Sequence, residues 1–205
     1  MTVEYGSFFY FLYPLLQVLI VIELYFLLRK RSKKAVYWIL FAFFAFNFAL
    51  HFLKVFFYPY NDPGKYSESD IIFTLSPSNI CALNVIIFPF LYLTKRPALK
   101  VYMFYVGIIS GFAAVWLPSM GDFDTSNAIA FDTFRFYTCH GILWMTPLLM
   151  VLLGVHKLNY RRIWITPVIY IIVLSLVLVN NYSMYCLGYS KSVSNNGFAV
   201  KPPDS

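Results

Sequence analysis

Charged residues are scarce in this sequence. Of its 205 residues only 12% are charged, whereas 60% are hydrophobic and 21% are aromatic. A soluble domain of this length cannot bury so much apolar surface, so the composition excludes a soluble globular protein and indicates that lipid surrounds most of the chain. Internal repeats, heptad runs and low-complexity blocks are also missing. The chain is therefore predicted to form one membrane domain.

Several motifs of well-known enzyme classes are missing as well. Without a CxxC pair or an HExxH motif, the three cysteines and three histidines do not predict a metal site. The glycine-poor loops exclude a loop that cradles nucleotide phosphates. A Gly-x-Ser-x-Gly elbow and a pair of membrane aspartates are absent, which argues against an intramembrane protease. We therefore expect neither a metal nor a cofactor.

Apolar runs long enough to cross a bilayer core, about 20 residues each, occur six times. They predict an all-α, polytopic membrane protein with six transmembrane helices. The approximate ranges are 8–28, 36–57, 71–94, 98–118, 131–153 and 163–184. Residues 1–188 then form the transmembrane domain, and residues 189–205 are predicted to be a flexible polar tail. The first run lacks a basic leader and a cleavage site, so it is interpreted as a retained helix.

The net charge of +7 has a distribution that argues against nucleic-acid binding. Eleven of the sixteen basic residues lie in three short loops: Arg29, Lys30, Arg31, Lys33, Lys34, Lys95, Arg96, Lys100, Lys157, Arg161 and Arg162. The intervening loops carry acids instead: Asp62, Glu68, Asp70, Asp122, Asp124 and Asp132. By the positive-inside rule the basic loops are cytoplasmic and both termini are extracytoplasmic. This pattern predicts an integral, multi-pass membrane protein, and we expect its location to be a bacterial-type plasma membrane.

Three reactive side chains share the predicted outer half of the bilayer. At 1.5 Å of rise per residue, His51, Cys81 and His140 lie roughly 10, 16 and 12 Å from the outer ends of their helices. Further polar residues lie within this layer, just above it or on the same stripe as His140: Asn47, Asn79, Asn84, Arg135, Tyr137, Asn180 and Asn181. Because hydrocarbon cannot satisfy hydrogen bonds, such residues turn toward neighbouring helices or a wet cavity. The sequence thus predicts a polar pocket that opens outward or toward the outer leaflet.

Cys81 and His140 are the candidate catalytic pair in this pocket. A thiol needs a base to become a thiolate, and an imidazole within hydrogen-bond reach supplies one. The pair would form an acyl-transfer dyad, in which Asn79, Asn84 or a tyrosine hydroxyl holds the developing oxyanion.

Plainer structural interpretations remain open for these residues. A buried cysteine is usually a small hydrophobe, and membrane asparagines often serve only as interhelical glue. Lys54 and Arg135 lie near enough to the boundary to snorkel. A disulfide between Cys139 and Cys186 is conceivable on the outer side.

Two segments resemble a known family. "SPSNICALNVIIFPFLYLTKRP", residues 76–97, resembles the Pro-Leu-His-Leu-Cys-Asp/Asn-Leu-Ala segment of the YwaF-like family, the group that includes transmembrane protein 164. "FDTFRFYTCHGILWMTPLLMVL", residues 131–152, is similar to that family's Phe-Arg-Phe-Tyr…His-Gly helix. A weaker likeness is "NNYSMYCLG" at 180–188.

The resemblance implies a six-helix membrane protein and, from the animal members, an acyltransferase that moves a fatty acyl chain between phospholipids. It places Cys81 at the nucleophile position and His140 at the base position. Where the family has a histidine two residues before the cysteine, this chain has Asn79. If that histidine takes part in the reaction of other members, His51 is the residue that would replace it here.

Two classes of function therefore stay open. The first is a membrane lipid acyltransferase or acyl hydrolase that uses a Cys81–His140 dyad, with membrane lipids as acyl donor and acceptor. The alternative is a non-catalytic subunit that binds or transports a small molecule or lipid and docks a partner through its basic loops. A homo-oligomer or an unidentified partner subunit is compatible with either.

Overall fold

The computed structural model describes residue 3, residues 6–117 and residues 127–190. Every regular element in these residues is a helix, so the predicted all-α class is confirmed. The helices are α1 Phe8–Leu28, α2 Lys33–Leu53, α3 Glu68–Leu75, α4 Ile80–Leu93, α5 Pro97–Trp116, α6 Phe131–Leu152 and α7 Ile165–Cys186. Short 3-10 turns span Lys54–Phe56 and Tyr160–Arg162. Most of the tail predicted over 189–205 lies outside the described residues, as do Asp122 and Asp124.

The predicted third helix, 71–94, is two helices rather than one. Ser76 is extended before Pro77, because a residue that precedes proline disfavours the helical region. Asn79 then starts α4 as its N-cap, and its side-chain oxygen accepts from the backbone N–H of Ala82 at 2.8 Å. The axes of α3 and α4 differ by 55°. The segment "SPSN" is therefore a helix break.

By length and composition, four helices in the described residues could cross a membrane. They are α1, α2 with its 3-10 turn, α5 and α7, and the bent pair α3–α4 makes a fifth if it is one span. At 14 residues α4 is about 21 Å long, too short alone for a hydrocarbon core of about 30 Å. An integral membrane architecture with four to five candidate spans is thus supported, and the count of six spans stays a prediction.

The helix outside that set, α6, lies at the centre of the bundle. It packs against α1, α2, α4 and α5, and 13 of its 22 residues are buried. By contrast, α7 packs against α4 and α5 and buries 3 of its 22 residues. Large side chains of the peripheral helices, such as Leu19 on α1 and Ile171 on α7, are about 60% exposed. The polar helix is therefore enclosed and the apolar helices face outward.

Two glycines bring α5 and α6 into close contact. A Cβ added to Gly107 would lie 2.6 Å from the carbonyl oxygen of Leu143, and one added to Gly111 would lie 2.7 Å from that of His140. Both distances are too short for a real side chain, so only glycine permits this approach of the two backbones. The close contact fixes the level of α5 against the stretch of α6 that carries His140.

Candidate functional site

Cys81 lies in the first turn of a helix that begins inside the bundle. It is the second residue of α4 and is half-buried. The unpaired N–H groups at a helix N-terminus carry a partial positive charge, which stabilises a negative charge in the first turn. Activated cysteines often occupy this position. The break between α3 and α4 therefore places the cysteine at the N-terminal end of a helix.

Four polar side chains, from α2, from the 3-10 turn that follows it and from α7, hold the break in place. His51 Nε2 lies 3.0 Å from the carbonyl oxygen of Leu75, and Lys54 Nζ donates to that of Thr74 at 2.7 Å. From the other side, Asn180 Nδ2 donates to the hydroxyl of Ser76 at 3.3 Å and Asn181 Nδ2 donates to the carbonyl of Ser78 at 2.9 Å. Backbone groups freed by a broken membrane helix need such partners. His51, Asn180 and Asn181 thus support the loop that leads to Cys81.

The imidazole of His140 is held by a residue of its own helix. Its Nδ1 lies 2.9 Å from the carbonyl oxygen of Phe136, one turn earlier on α6. A carbonyl only accepts hydrogen bonds, so Nδ1 is the donor of this contact. The Phe136 ring packs beside the imidazole, with the ring centroids 4.4 Å apart. The two contacts fix the orientation of the imidazole.

The depths of Cys81 and His140 can be compared through the α4–α5 hairpin. Cys81 lies twelve residues before Leu93, or about 18 Å along α4 from the hairpin. Gly111 lies fourteen residues after Pro97, or about 21 Å along α5, and it contacts the backbone of His140. The two levels differ by about 3 Å, less than one helical turn. By the helical rise, the two residues therefore lie at similar heights on two helices that pack against each other.

Asn84 lies one turn after Cys81 and is fully buried. Its Oδ1 accepts from the hydroxyl of Tyr102 on α5 at 2.8 Å, whereas its Nδ2 has no hydrogen-bond partner among the described residues. Residues three apart on a helix share a face, and the thiol of Cys81 lies within electrostatic range of the Tyr102 hydroxyl. A buried amide donor thus lies one turn from the cysteine on the same helix face, while the side chain of Asn79 already serves as the N-cap of α4.

The remaining candidate residues make other contacts. Asn47 Nδ2 donates to the carbonyl of Cys139 at 3.1 Å and joins α2 to α6. Arg135 pairs with Asp132 at 2.8 Å and donates to the hydroxyl of Tyr60 at 2.8 Å. Burial raises the pKa of Tyr60, which lies in the connection before α3. Arg135 is therefore part of an ion-pair network at the end of α6.

Tyr137 belongs to the contact between α1 and α6. Its ring stacks on that of Tyr13 with the centroids 4.3 Å apart, and its carbonyl accepts from Gln17 Nε2 at 2.8 Å. Gln17 Oε1 in turn accepts from the indole of Trp144 at 2.8 Å. These contacts fix α6 on both sides of His140.

Cys139 and Cys186 are separate thiols, one buried and one exposed, so the disulfide considered between them is not formed. Within the residues that the structure describes, no group of three or more His, Cys, Asp or Glu side chains is close enough to hold a metal ion.

With this geometry in view, comparison with known proteins gives one result. The sequence model of the TMEM164 family matches residues 3–205, almost the whole chain. The chain belongs to the TMEM164 family. No curated protein and no solved structure matches it.

Sequence reasoning missed several residues of this TMEM164-family protein. Nothing in the sequence distinguishes Tyr102, which orients Asn84, from the other tyrosines. Gln17 could have been found, because it is a rare polar residue in an apolar run and such residues usually face a partner helix. Gly107 and Gly111 form a small-xxx-small pattern that indicates close helix contact in membranes.

Proposed function

We propose that this TMEM164-family protein is a membrane lipid acyltransferase or acyl hydrolase in which Cys81 is the nucleophile and His140 is the base. One observation carries the proposal. Cys81 occupies the first turn of α4, which starts at a break inside the bundle, at a depth within about one turn of His140. Family membership and the apolar surface of the bundle favour a substrate that already resides in the bilayer.

The reaction has two balanced stages. The sulfur of Cys81 attacks the carbonyl carbon of an acyl ester and transfers its proton to Nε2 of His140. The ester C–O bond breaks, the leaving alcohol takes that proton, and a thioester remains. A second lipid hydroxyl, or water, then attacks the thioester, with His140 again removing and returning one proton. The acyl chain leaves and the thiol is restored.

Asn84 is the proposed oxyanion donor. Its buried Nδ2 lacks a partner among the described residues, and the hydroxyl of Tyr102 holds its Oδ1. A fixed donor that gains a hydrogen bond only when negative charge develops stabilises the transition state more than the ground state. Loss of one such donor typically slows an enzyme by about 10² to 10³-fold.

The proposal includes the finer topology. We infer that α3–α4 forms one broken span and that α6, shielded by α1, α2, α4 and α5, forms another, which gives six spans with both termini extracytoplasmic. A bacterial-type plasma membrane and the closer YwaF-like relationship belong to the same proposal. The positive-inside distribution of Lys and Arg supports this orientation.

The test is trapping of the acyl-enzyme. Purified protein is incubated with a phospholipid that carries an alkyne-tagged acyl chain, and the hydroxylamine-sensitive label on the protein is measured. We expect label on the wild type and on Cys186→Ala, a matched thiol control, but none on Cys81→Ala. His140→Ala should label at least 10²-fold more slowly. Far-UV circular dichroism checks that each variant is folded.

Equal labelling of Cys81→Ala and the wild type would remove Cys81 as the nucleophile. If no variant carries label while the tagged lipid still binds the wild type and Cys81→Ser equally, the non-catalytic binding or transport function is favoured instead.

A further inference from the structure

A second candidate site lies far from Cys81, at the basic end of the bundle. A cavity of about 620 Å³ opens there between the start of α5 and the connection from α6 to α7. Its lining includes Pro97, Lys157, Asn159, Tyr160, Arg161 and Arg162. Cys81 and His140 are not among the lining residues, so the cavity is separate from the proposed catalytic site.

The residues that line the cavity carry positive charges and no negative ones. Lys157, Arg161 and Arg162 line it, and no carboxylate does. Among the described residues the recorded ion pair is that of Arg135 with Asp132, so these three cations have no acidic partner there. Clustered cations in a concave surface focus a positive potential that attracts anions.

His156 lies close to the cluster. Burial lowers its pKa, and Lys100 and Arg162 lower it further, which favours the neutral imidazole. Its buried Nε2 has no hydrogen-bond partner among the described residues.

Backbone geometry adds a second feature that suits an anion. Pro97 is the first residue of α5, and no side chain caps the N-terminus of this 20-residue helix. The first-turn N–H groups of a long helix bind phosphate well because they are unpaired and lie at the positive end of the helix dipole. Pro97, the first residue of α5, lines the same cavity as the three cations.

The position of the cavity indicates where the anion comes from. Tyr160 and Trp164, on either side of the last two arginines of this connection, are 76% and 64% exposed. Exposed tyrosine and tryptophan at the ends of membrane helices are typical of the headgroup region. A lipid headgroup can thus reach the cavity from the membrane, while its acyl chains stay in the bilayer.

We propose that this cavity binds the phosphate group of an anionic membrane lipid at the basic end of the bundle. The site takes the lipid phosphate on Lys157, Arg161 and Arg162 and on the N-terminus of α5. It is independent of acyl transfer at Cys81, so either proposal can fail without the other.

Native mass spectrometry of the full chain in a non-ionic detergent tests the proposal. The probes are dioctanoyl phosphatidic acid, dioctanoyl phosphatidylcholine and inorganic phosphate. The site variant is Lys157→Gln/Arg161→Gln/Arg162→Gln. The matched control, Lys30→Gln/Arg31→Gln/Lys34→Gln, removes the same charge from exposed positions that do not line the cavity.

We expect the site variant to bind phosphatidic acid at least tenfold more weakly than the control variant, which should stay within about threefold of the wild type. Phosphatidylcholine should bind both variants equally. Equal loss in the two variants would show a general charge effect and overturn the site. Displacement of phosphatidic acid by an equal concentration of inorganic phosphate would overturn the assignment to a lipid. Single Arg161→Gln and Arg162→Gln variants, each expected to weaken binding by at least threefold, give the answer if the triple variant does not fold.

Discussion

Replacing Gln17 by Leu removes the polar bridge between α1 and α6 while nearly conserving side-chain volume. Gln17 is 6% exposed, and its amide accepts from the indole of Trp144 and donates to the carbonyl of Tyr137. A Cβ at Gly141 would lie 2.9 Å from the Gln17 amide carbon, so the side chain packs directly on the α6 backbone. Leu at this position loses both hydrogen bonds.

The two lost bonds differ in cost. The Tyr137 carbonyl keeps its place in the hydrogen-bond ladder of α6, so it is not orphaned. The Trp144 N–H loses its recorded partner, and an unsatisfied buried donor costs about 1–3 kcal/mol. Measured hydrogen bonds between membrane helices average about 0.6 kcal/mol, and this value is the lower end of the expected loss of stability. We therefore expect Gln17→Leu to reduce the free energy of unfolding by about 2 kcal/mol, within a range of about 0.6–3 kcal/mol.

A double-mutant cycle isolates the bridge. Unfolding free energies are measured by far-UV circular dichroism in mixed micelles of a denaturing and a non-denaturing detergent. Trp144→Phe removes the donor, and in the double variant neither polar group is left unpaired. We expect the double variant to be more stable than the sum of the single losses implies, by about 1 kcal/mol. Strict additivity would refute the reasoning, because the contact would then contribute nothing.

Two further outcomes are expected. Gly111→Ala should lower the unfolding midpoint, because relieving a 2.7 Å contact with the His140 carbonyl costs about 1–3 kcal/mol, more than the 0.5–1 kcal/mol or so that alanine gains in a helix. Ser110→Ala on the same helix is the control, and a stabilised Gly111→Ala variant would contradict the expectation. The free energy of unfolding should fall as the pH rises above 10 because of Tyr60. Burial raises the pKa of its hydroxyl above the 10.0 of the unfolded chain, so the hydroxyl ionises first in the unfolded chain and stabilises it. Unfolding midpoints measured from pH 8 to about pH 11 should fall less steeply for Tyr60→Phe, and equal slopes would argue against this account.

The helices could be predicted wherever hydrophobicity alone decides them. The first run, 8–28, has the same bounds as α1, because Ser7 caps its start and Arg29 ends it. The run at 71–94 failed as one helix, since its apolar average concealed the local backbone preferences of the Ser-Pro-Ser-Asn segment. Hydropathy indicates whether a segment prefers lipid or water. Proline and an N-capping asparagine instead act on the backbone dihedral angles and hydrogen bonds, which decide where a helix begins and ends.

The candidate site shows the same division. The burial of Asn47, His51, Asn84 and Asn181 could be predicted, because a polar residue in lipid must turn inward. The partners could not: His51 meets a carbonyl of α3, and Asn47 meets the carbonyl of Cys139. Many hydrogen-bond acceptors lie at the same depth, and the rotation of each helix about its own axis decides which of them a side chain reaches.

By itself the sequence determined an integral, all-helical membrane protein, and it predicts the orientation of its two ends and the depth of its polar residues. Those properties follow from transfer free energies and from the helical rise, which depend on residue type and position along the chain. Only the tertiary structure decided that α6 is central, that His51 and Asn181 hold the break before Cys81, and that Asn84 keeps an unpartnered donor among the described residues. These depend on which helix faces which, and helix packing is fixed by close contacts such as that of Gly111 with α6.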